Sequence, residues 1–161
     1  MKKFYLHLLF NLSISILAGQ NIIYNKTYPS GKPKIISYKV SKGVDKVRTE
    51  EYFGNGTLKK EGYYQFGNKQ GKWMSYYLNG NLKKKENFNK NKLDGEMIKW
   101  HQNGKKKENG IFRNGKSEGI FFTWKEDGSL YSKRSFVNGL MCYIIKYSDG
   151  GSITRVDNYC D

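Results

Sequence analysis

Few residues of this 161-residue chain have the chemistry of catalysis or metal binding. It contains two histidines, His7 and His101, and two cysteines, Cys142 and Cys160. His7 lies in an apolar N-terminal run, and His101 with two late cysteines does not have the ligand spacing of a zinc site. Positions equivalent to His101 hold residues as different as Phe53, Tyr77 and Lys125. We therefore expect His101 to occupy a tolerant surface position.

Several carboxylates stand beside glycines, where we expect them to solvate turns: Asp94, Glu96 and Glu118. The glycine-rich segments alternate with strand-like runs and never open a helix, so they do not resemble phosphate-binding loops. No set of nucleophile, base and metal ligand is recognisable. The sequence therefore predicts a protein that is not an enzyme, with no catalytic residues, no cofactor and no metal.

The two cysteines leave two alternatives open. Cys142 and Cys160 lie 18 positions apart near the C-terminal end of the sequence. In an oxidising compartment they could form a disulfide, which for a loop of this size stabilises by roughly 3 kcal/mol in the chain-entropy picture. Otherwise they are two small thiols, buried or free.

The first residues have the order of an export signal. Met1-Lys2-Lys3 gives a basic start, Phe4 to Ala18 is largely apolar, and the chain turns polar after Gly19. This order is typical of a cleaved secretory signal, and the run is too short for a confident membrane span. We predict a signal peptide over residues 1–19 and an exported protein, whether periplasmic, at the cell surface or secreted.

The composition excludes several broad classes. Aromatic residues make up 16%, although hydrophobic residues reach only 37%, so wholesale disorder is not expected. There are 18 glycines but only 2 prolines, which indicates many turns and argues against a polyproline or collagen-like chain. The length suits one domain or one array of repeats.

A 24-residue repeat runs through the middle of the chain. Glycines recur at this interval, each after Asn or Asp, and four further columns keep the same register. The columns are Gly56, Gly80, Gly104 and Gly128; Tyr52, Tyr76, Trp100 and Trp124; Tyr64, Phe88, Phe112 and Phe136; Trp73, Met97 and Phe121; and Gly71, Gly95 and Gly119.

These columns predict four repeats over residues 52–147, a degenerate N-terminal repeat or cap over 20–51 and a C-terminal cap over 148–161. The last unit is two residues short by the step from Gly128 to Gly150. The shortening is expected to remove a turn, because Leu140-Met141-Cys142 stands where an earlier unit has a glycine turn.

Each unit is expected to contain two strands and two turns. The Asn-Gly or Asp-Gly pair predicts a tight hairpin turn, and the segment from Phe66 to Gly71 a looser one. No stretch after residue 20 keeps a helical period, whereas aromatic and β-branched residues suit strands. The sequence therefore predicts an all-β fold, an elongated antiparallel meander of tandem 24-residue β-hairpin repeats with one well-buried side.

The basic charge has two interpretations. The formal net charge is +15, and lysine clusters recur just after each Asn-Gly pair, which predicts a basic stripe along one edge. The stripe could attract an anionic membrane or a polyanion, or it could only protect strand edges and keep the sheet soluble. Lysine lacks the planar fork that reads bases, so no sequence-specific nucleic acid is expected. The stripe consists of Lys59, Lys60, Lys83, Lys84, Lys85, Lys105, Lys106 and Lys107.

The aromatic column Tyr52, Tyr76, Trp100 and Trp124 also has two interpretations. It is expected to form the packed face of the sheet. If the sheet is a single layer, part of this ladder stays in water and could bind a peptide or a glycan.

The repeat resembles a known family. The segments Tyr76-Tyr77-Leu78-Asn79-Gly80-Asn81-Leu82-Lys83, Gly67–Trp73 and Asn114–Gly119 resemble MORN-type repeats, closest to the bacterial YwqK family labelled as antitoxins. The likeness covers about residues 50–150. It implies a β-hairpin array that serves as a scaffold for proteins or membrane lipids, and for some members an antitoxin role.

The residues and the resemblance together favour binding without catalysis. We expect a binding or scaffolding module for a protein partner. The alternatives are a basic surface for an anionic membrane or polyanion, and neutralisation of a toxin.

Overall fold

The chain forms one open antiparallel β-sheet. A computed structural model describes residues 21–40, 43 and 45–160, so the predicted signal peptide over 1–19 lies outside the described residues. The described part contains thirteen strands and no helix, and therefore none that could span a membrane. The strands are β1 (Asn21–Thr27), β2 (Pro33–Lys39), β3 (Lys46–Tyr52), β4 (Leu58–Gln65), β5 (Asn68–Tyr76), β6 (Leu82–Asn89), β7 (Lys92–Leu93), β8 (Gly95–Trp100), β9 (Lys106–Arg113), β10 (Lys116–Trp124), β11 (Leu130–Val137), β12 (Leu140–Tyr147) and β13 (Ile153–Asn158).

The strands lie in the sheet in the order in which they occur in the chain. Each pairs antiparallel with its neighbours, and the two-residue β7 pairs only with β6, next to β8. Strands in extensive contact are always neighbours in the sheet. In the described part of the chain no second layer covers either face. The predicted fold class, an all-β meander of hairpin repeats, is confirmed.

One long edge of the sheet carries the Asn-Gly loops, and we call it the Asn-Gly edge. In the loop after β3, the N–H of Gly56 donates to the carbonyl of Phe53, and the N–H of Phe53 donates to the carbonyl of Thr57. Gly56 has a φ of 94°, which completes a three-residue loop with a glycine bulge. The same two hydrogen bonds recur in six loops, at 28–32, 53–57, 77–81, 101–105, 125–129 and 148–152.

The opposite edge carries shorter turns, and we call it the two-residue-turn edge. Asn114 and Gly115 both have positive φ, 52° and 86°, as a type I′ hairpin turn requires. Phe66-Gly67, Lys90-Asn91 and Asn138-Gly139 do the same. The prediction had the two turns reversed: the tight turns are here, and the Asn55-Gly56 column forms the longer loop. Both use Asn-Gly because both need the left-handed conformation.

The second glycine column lies in strands and not in turns, with Gly71 and Gly119 inside β5 and β10 and Gly95 at the start of β8. Gly71, Gly95 and Gly119 have φ values of 67°, 107° and 71°, and the pairing register shifts beside Gly71 and Gly119. They are bulge positions, where a residue with positive φ is accommodated.

The repeat geometry continues into both predicted caps. Tyr28 to Lys32 and Ser148 to Ser152 form the same three-residue loop as the central units. In the last unit the equivalent glycine is Gly151, with a φ of 78°, and not Gly150. The expected loss of a turn there is wrong, because Asn138-Gly139 forms the usual two-residue turn. What the last unit lacks is the bulge glycine.

A disulfide joins the two cysteines at the end of the sheet. Cys142 in β12 is bonded to Cys160, with the two Cα atoms 4.6 Å apart. The N–H of Tyr159 donates to the carbonyl of Cys142 over 2.7 Å. The segment that follows β13 is therefore held against β12.

The two faces of the sheet differ from the predicted arrangement. We name them the Trp73 face, which carries Trp73, Met97 and Phe121, and the Trp124 face, which carries the ladder Tyr52, Tyr76, Trp100 and Trp124. Trp73, Met97 and Phe121 are each only 3% exposed, whereas the four ladder residues are half-buried. The expectation that the ladder forms the packed face is therefore wrong.

Glycine explains how a single-layer sheet buries a tryptophan. A Cβ placed on Gly62 would come within 2.2 Å of the Trp73 ring, and one on Gly110 within 2.3 Å of the Phe121 ring. Each ring therefore lies flat on the backbone of the preceding strand. Neighbouring aromatic rings close its sides edge-on, as Tyr64 does for Trp73 at 5.0 Å and Phe136 for Phe121 at 4.9 Å.

Candidate functional site

The four ladder residues share one face but have different surroundings. They stand on β3, β5, β8 and β10, that is, on alternate strands, about 10 Å from one to the next. Tyr52 and Tyr76 belong to a polar half of the Trp124 face, and Trp100 and Trp124 to an apolar half. The structure therefore places all four ladder residues on one face, the two tyrosines in polar surroundings and the two tryptophans in apolar surroundings.

The polar half is a network of side chains that form hydrogen bonds and ion pairs with one another. Tyr52 donates its hydroxyl to Glu50 over 2.6 Å, and Tyr76 donates to Glu61 over 2.5 Å. Arg48 lies 2.8 Å from both carboxylates. Burial, followed by these hydrogen bonds to carboxylates, raises the pKa of Tyr52 and Tyr76 above the ordinary tyrosine range. These polar groups already have partners within the chain.

The apolar half exposes mainly apolar side chains, in contrast to the hydrogen-bonded groups of the polar half. We define the apolar patch as Ile98, Trp100, Ile111, Ile120, Phe122 and Trp124. Phe122 and Trp124 stack with their ring centroids 5.9 Å apart, and Ile111 is 53% exposed. A depression of about 300 Å³ opens here, lined by Gly95, Glu96, Asn109, Gly110, Ile111, Ile120 and Phe122.

Reasoning from the repeat missed Ile111 and Ile120. The positions equivalent to Ile111 hold Tyr63, Asn87 and Ser135, and those equivalent to Ile120 hold Lys72, Glu96 and Ile144. Neither isoleucine belongs to an apolar column. The signal that could have identified them is the departure from the preceding unit, in which Asn87 and Glu96 stand at the two positions.

The lysine clusters do not form one stripe. They lie next to the Asn-Gly edge, but consecutive lysines of a strand project to opposite faces: Lys84 is opposite Ser75, and Lys85 opposite Met74. Several are already engaged. Three form ion pairs: Lys59 with Glu51 at 2.6 Å, Lys84 with Glu86 at 2.9 Å and Lys85 with Glu96 at 3.1 Å. Lys83 lies over the Tyr77 ring and Lys60 over the Trp73 ring, and Lys105 donates to the carbonyl of Asp127. Lys106 and Lys107 are exposed.

His101 is a structural residue, contrary to the expected tolerant surface position. Its residue exposure is 8%, and Nε2 donates to the carbonyl of Trp124 over 2.9 Å. Tyr28 and Tyr77 make the same link with their hydroxyls, to the carbonyls of Tyr52 and Trp100. At these three positions the column joins one Asn-Gly loop to the next through a side-chain donor, which Phe53 at the equivalent position lacks.

The turn carboxylates are also engaged within the chain. Asp94 accepts the N–H of Asn114 over 3.3 Å, and Glu118 accepts the N–H of Asn138 over 3.0 Å. Gln70 does the same for Lys90. These side chains join successive turns and are not just exposed to solvent.

The described residues contain no cluster of three or more His, Cys, Asp or Glu side chains that could hold a metal ion. On the Trp73 face the carboxylate of Glu108 lies 2.7 Å from both Lys99 and Arg134. Burial alone raises the pKa of Glu108, but the hydrogen bonds and charges of these two cations outweigh it and hold the pKa below its usual range.

Comparison with known families supports a MORN-type repeat protein. Residues 69–90 and 93–114 match the family described as MORN repeat variant. Each matched segment covers one hairpin closed by an Asn-Gly loop, which is the repeating unit of the sheet. No curated protein matches the chain.

Proposed function

We propose that this is a non-catalytic scaffold protein that binds a protein partner through the apolar patch of the Trp124 face. The observation that supports this most is the contrast between the two halves of that face. The polar half is hydrogen-bonded within the chain, whereas the apolar half exposes Ile111 and a stacked Phe122–Trp124 pair beside a depression. Aromatic anchors around a pocket are typical of the centre of a protein interface.

The proposed compartment is outside the cytoplasm. The N-terminal order of basic, apolar and small residues favours export, and a disulfide between Cys142 and Cys160 suits an oxidising compartment. The resemblance to the YwqK family adds one further candidate partner, a toxin. A toxin partner in the cytoplasm requires a cytoplasmic pool of the protein, so cell fractionation tests that role directly.

A second candidate function is binding to an anionic membrane or polyanion. A separate observation favours it: Lys90, Lys92, Arg113 and Lys116 are all exposed along the two-residue-turn edge. An electrostatic mechanism predicts that vesicle or polyanion binding falls steeply when salt is raised to about 0.5 M.

Site-specific cross-linking in the producing cells tests the first proposal. A photoreactive residue at Ile111 is expected to capture a protein, and the same residue at Arg155, exposed on β13 at the end of the sheet, to capture little. Ile111→Asp should then lower partner recovery at least tenfold, because a carboxylate must be desolvated in an apolar interface.

The matched control is Ile153→Asp, at a 60% exposed isoleucine on β13. It should leave recovery of the partner unchanged. Equal capture from Ile111 and Arg155, or recovery that Ile111→Asp does not reduce, would contradict the proposal.

A further inference from the structure

Two lysines share one tryptophan ring on the Trp73 face. The Nζ of Lys60 lies 5.1 Å from the centroid of the Trp73 ring, and the Nζ of Lys69 lies 4.9 Å from it. Lys69 also lies 4.9 Å from the Phe88 ring. Each contact is a favourable cation–π interaction, but the two contacts hold like charges close together.

The carboxylates of this region are already engaged by other lysines. Glu51 is the cross-strand neighbour of Lys60, but it pairs with Lys59 at 2.6 Å. Glu86 is the cross-strand neighbour of Trp73, but it pairs with Lys84 at 2.9 Å. Within the described residues neither Lys60 nor Lys69 forms an ion pair. Glu86 still attracts Lys69 from a longer distance, but the cluster carries two positive charges with no ion pair to balance them.

This arrangement has an electrostatic cost in the free protein. Burial first, and then the charge of Lys60, lowers the pKa of Lys69 below its usual range. An anion that bridges the two ammonium groups would remove the repulsion and supply the missing counter-charge.

The cluster belongs to one repeat only. In the next two units the positions of Lys69 are taken by Leu93 and Ser117. The position of Lys60 is taken by Lys84, which is paired, and then by Glu108, which pairs with Lys99 and Arg134. The repeat pattern therefore does not require two unneutralised lysines at Trp73.

We propose that Lys60 and Lys69 bind a carboxylate from an acidic segment of a protein partner, above the ring of Trp73. A depression of about 130 Å³ adjoins Lys60, lined by Ile35, Thr49, Glu51, Lys60, Tyr64 and Trp73. It combines apolar walls with the cation of Lys60, and its one carboxylate, Glu51, is engaged by Lys59. This lining suits the short apolar stem and charged end of a Glu side chain.

The net charge of +15 also favours an acidic partner. That the carboxylate comes from a protein rests on the function proposed above. The site itself is on the opposite face from the apolar patch, so the two can be tested separately.

Titration with an acetylated hexaglutamate peptide tests this site. Lys60→Gln combined with Lys69→Gln should weaken peptide binding at least tenfold. Lys72→Gln combined with Arg155→Gln removes the same charge from exposed positions outside both the lysine pair and the two-residue-turn edge, and should change the affinity less than twofold. Lys69→Arg, which keeps the cation, should retain most of the affinity and shows whether charge or packing is responsible.

NMR of the lysine side chains gives a second readout. Peptide binding should raise the pKa of Lys69 toward its ordinary value in the unsubstituted protein. An equal loss of affinity in both double variants, or a Lys69 pKa that the peptide does not change, would overturn the proposal.

Inorganic phosphate and anionic phospholipid vesicles form separate arms of the experiment. If either binds in a manner that depends on Lys60 and Lys69 while the peptide does not bind, the assignment to a protein carboxylate is wrong. The peptide titration needs no captured partner. Failure of cross-linking at Ile111 together with a positive titration would therefore reject the apolar patch and leave the lysine site standing.

Discussion

The imidazole of His101 reaches the backbone carbonyl of Trp124 across 2.9 Å, and this hydrogen bond joins one Asn-Gly loop to the next. The hydroxyl of Tyr77 makes the same contact one unit earlier, with the carbonyl of Trp100 at 2.8 Å. Because each unit is held mainly by its neighbours, such links between loops contribute to the stability of the whole array.

Replacing His101 should show which property of the side chain matters. His101→Ala removes the donor and leaves the carbonyl of Trp124 without it, so we expect the free energy of unfolding to fall by about 1–3 kcal/mol. His101→Tyr supplies a hydroxyl as Tyr77 does and should restore most of that loss. Urea unfolding followed by tryptophan fluorescence measures both. Equal destabilisation by Ala and Tyr would show that the hydrogen bond is not the cause.

Gly110 should not tolerate even a methyl group. A Cβ at this position meets the Phe121 ring at 2.3 Å, so Gly110→Ala must displace a ring that is 3% exposed. We expect a loss of about 1–3 kcal/mol in the free energy of unfolding, as for other overpacked cores. The control is Gly54→Ala, since nothing lies within 4 Å of a Cβ there.

A smaller side chain at position 121 should relieve the clash that Gly110→Ala creates. Phe121→Leu alone should destabilise the protein, but combined with Gly110→Ala it should cost less than the sum of the two single changes. Additive losses in the double variant would mean that the steric conflict with Phe121 is not what makes Gly110 necessary.

Glu108 should make stability depend on acidic pH. Lys99 and Arg134 hold the pKa of Glu108 below its ordinary value despite its burial, so the folded state favours the carboxylate. The stabilisation is present above the ordinary pKa of a glutamate, about 4.3, and is lost as the pH falls through the lower pKa of the folded state.

Glu108→Gln tests this dependence. The variant should be less stable than the parent at pH 7, and the difference should shrink as the pH is lowered from about 5 to 2. Glu96→Gln removes one carboxylate whose side chain is 48% exposed and serves as the control with a small effect. A stability difference that stays constant across this range would contradict the role given to the ion pairs.

Much of the local structure was predictable because it depends on residues close in sequence. The 24-residue interval between Gly56, Gly80, Gly104 and Gly128 indicates loops in which the glycine needs a positive φ. The structure has a loop with such a glycine at each of these positions. Turn type was not predictable in the same way. Asn-Gly serves both the three-residue loop at Gly56 and the type I′ turn at Gly115, and only the pairing of the flanking strands distinguishes them.

The candidate sites were harder to predict because they depend on neighbours from different repeats. Ile111 and Ile120 form a surface only because β9 and β10 are adjacent. Lys60 and Lys69 become an unneutralised pair only because Lys59 and Lys84 take the nearby carboxylates. Neither fact is visible in the period of the repeat.

The amino-acid sequence alone determined the hairpin repeat, the absence of helices from the described array and the positions of its loops, because backbone conformation at glycine and the alternation of side chains along a strand are local properties. The tertiary structure alone decided that Trp73 and not Trp124 is deeply buried, that His101 joins loops, and which lysines have partners. These depend on what the adjacent strand places beneath or opposite a side chain. A glycine under Trp73 leaves room for the ring to lie on the sheet, whereas Trp124 stacks on Phe122 and no second layer of the described residues covers it.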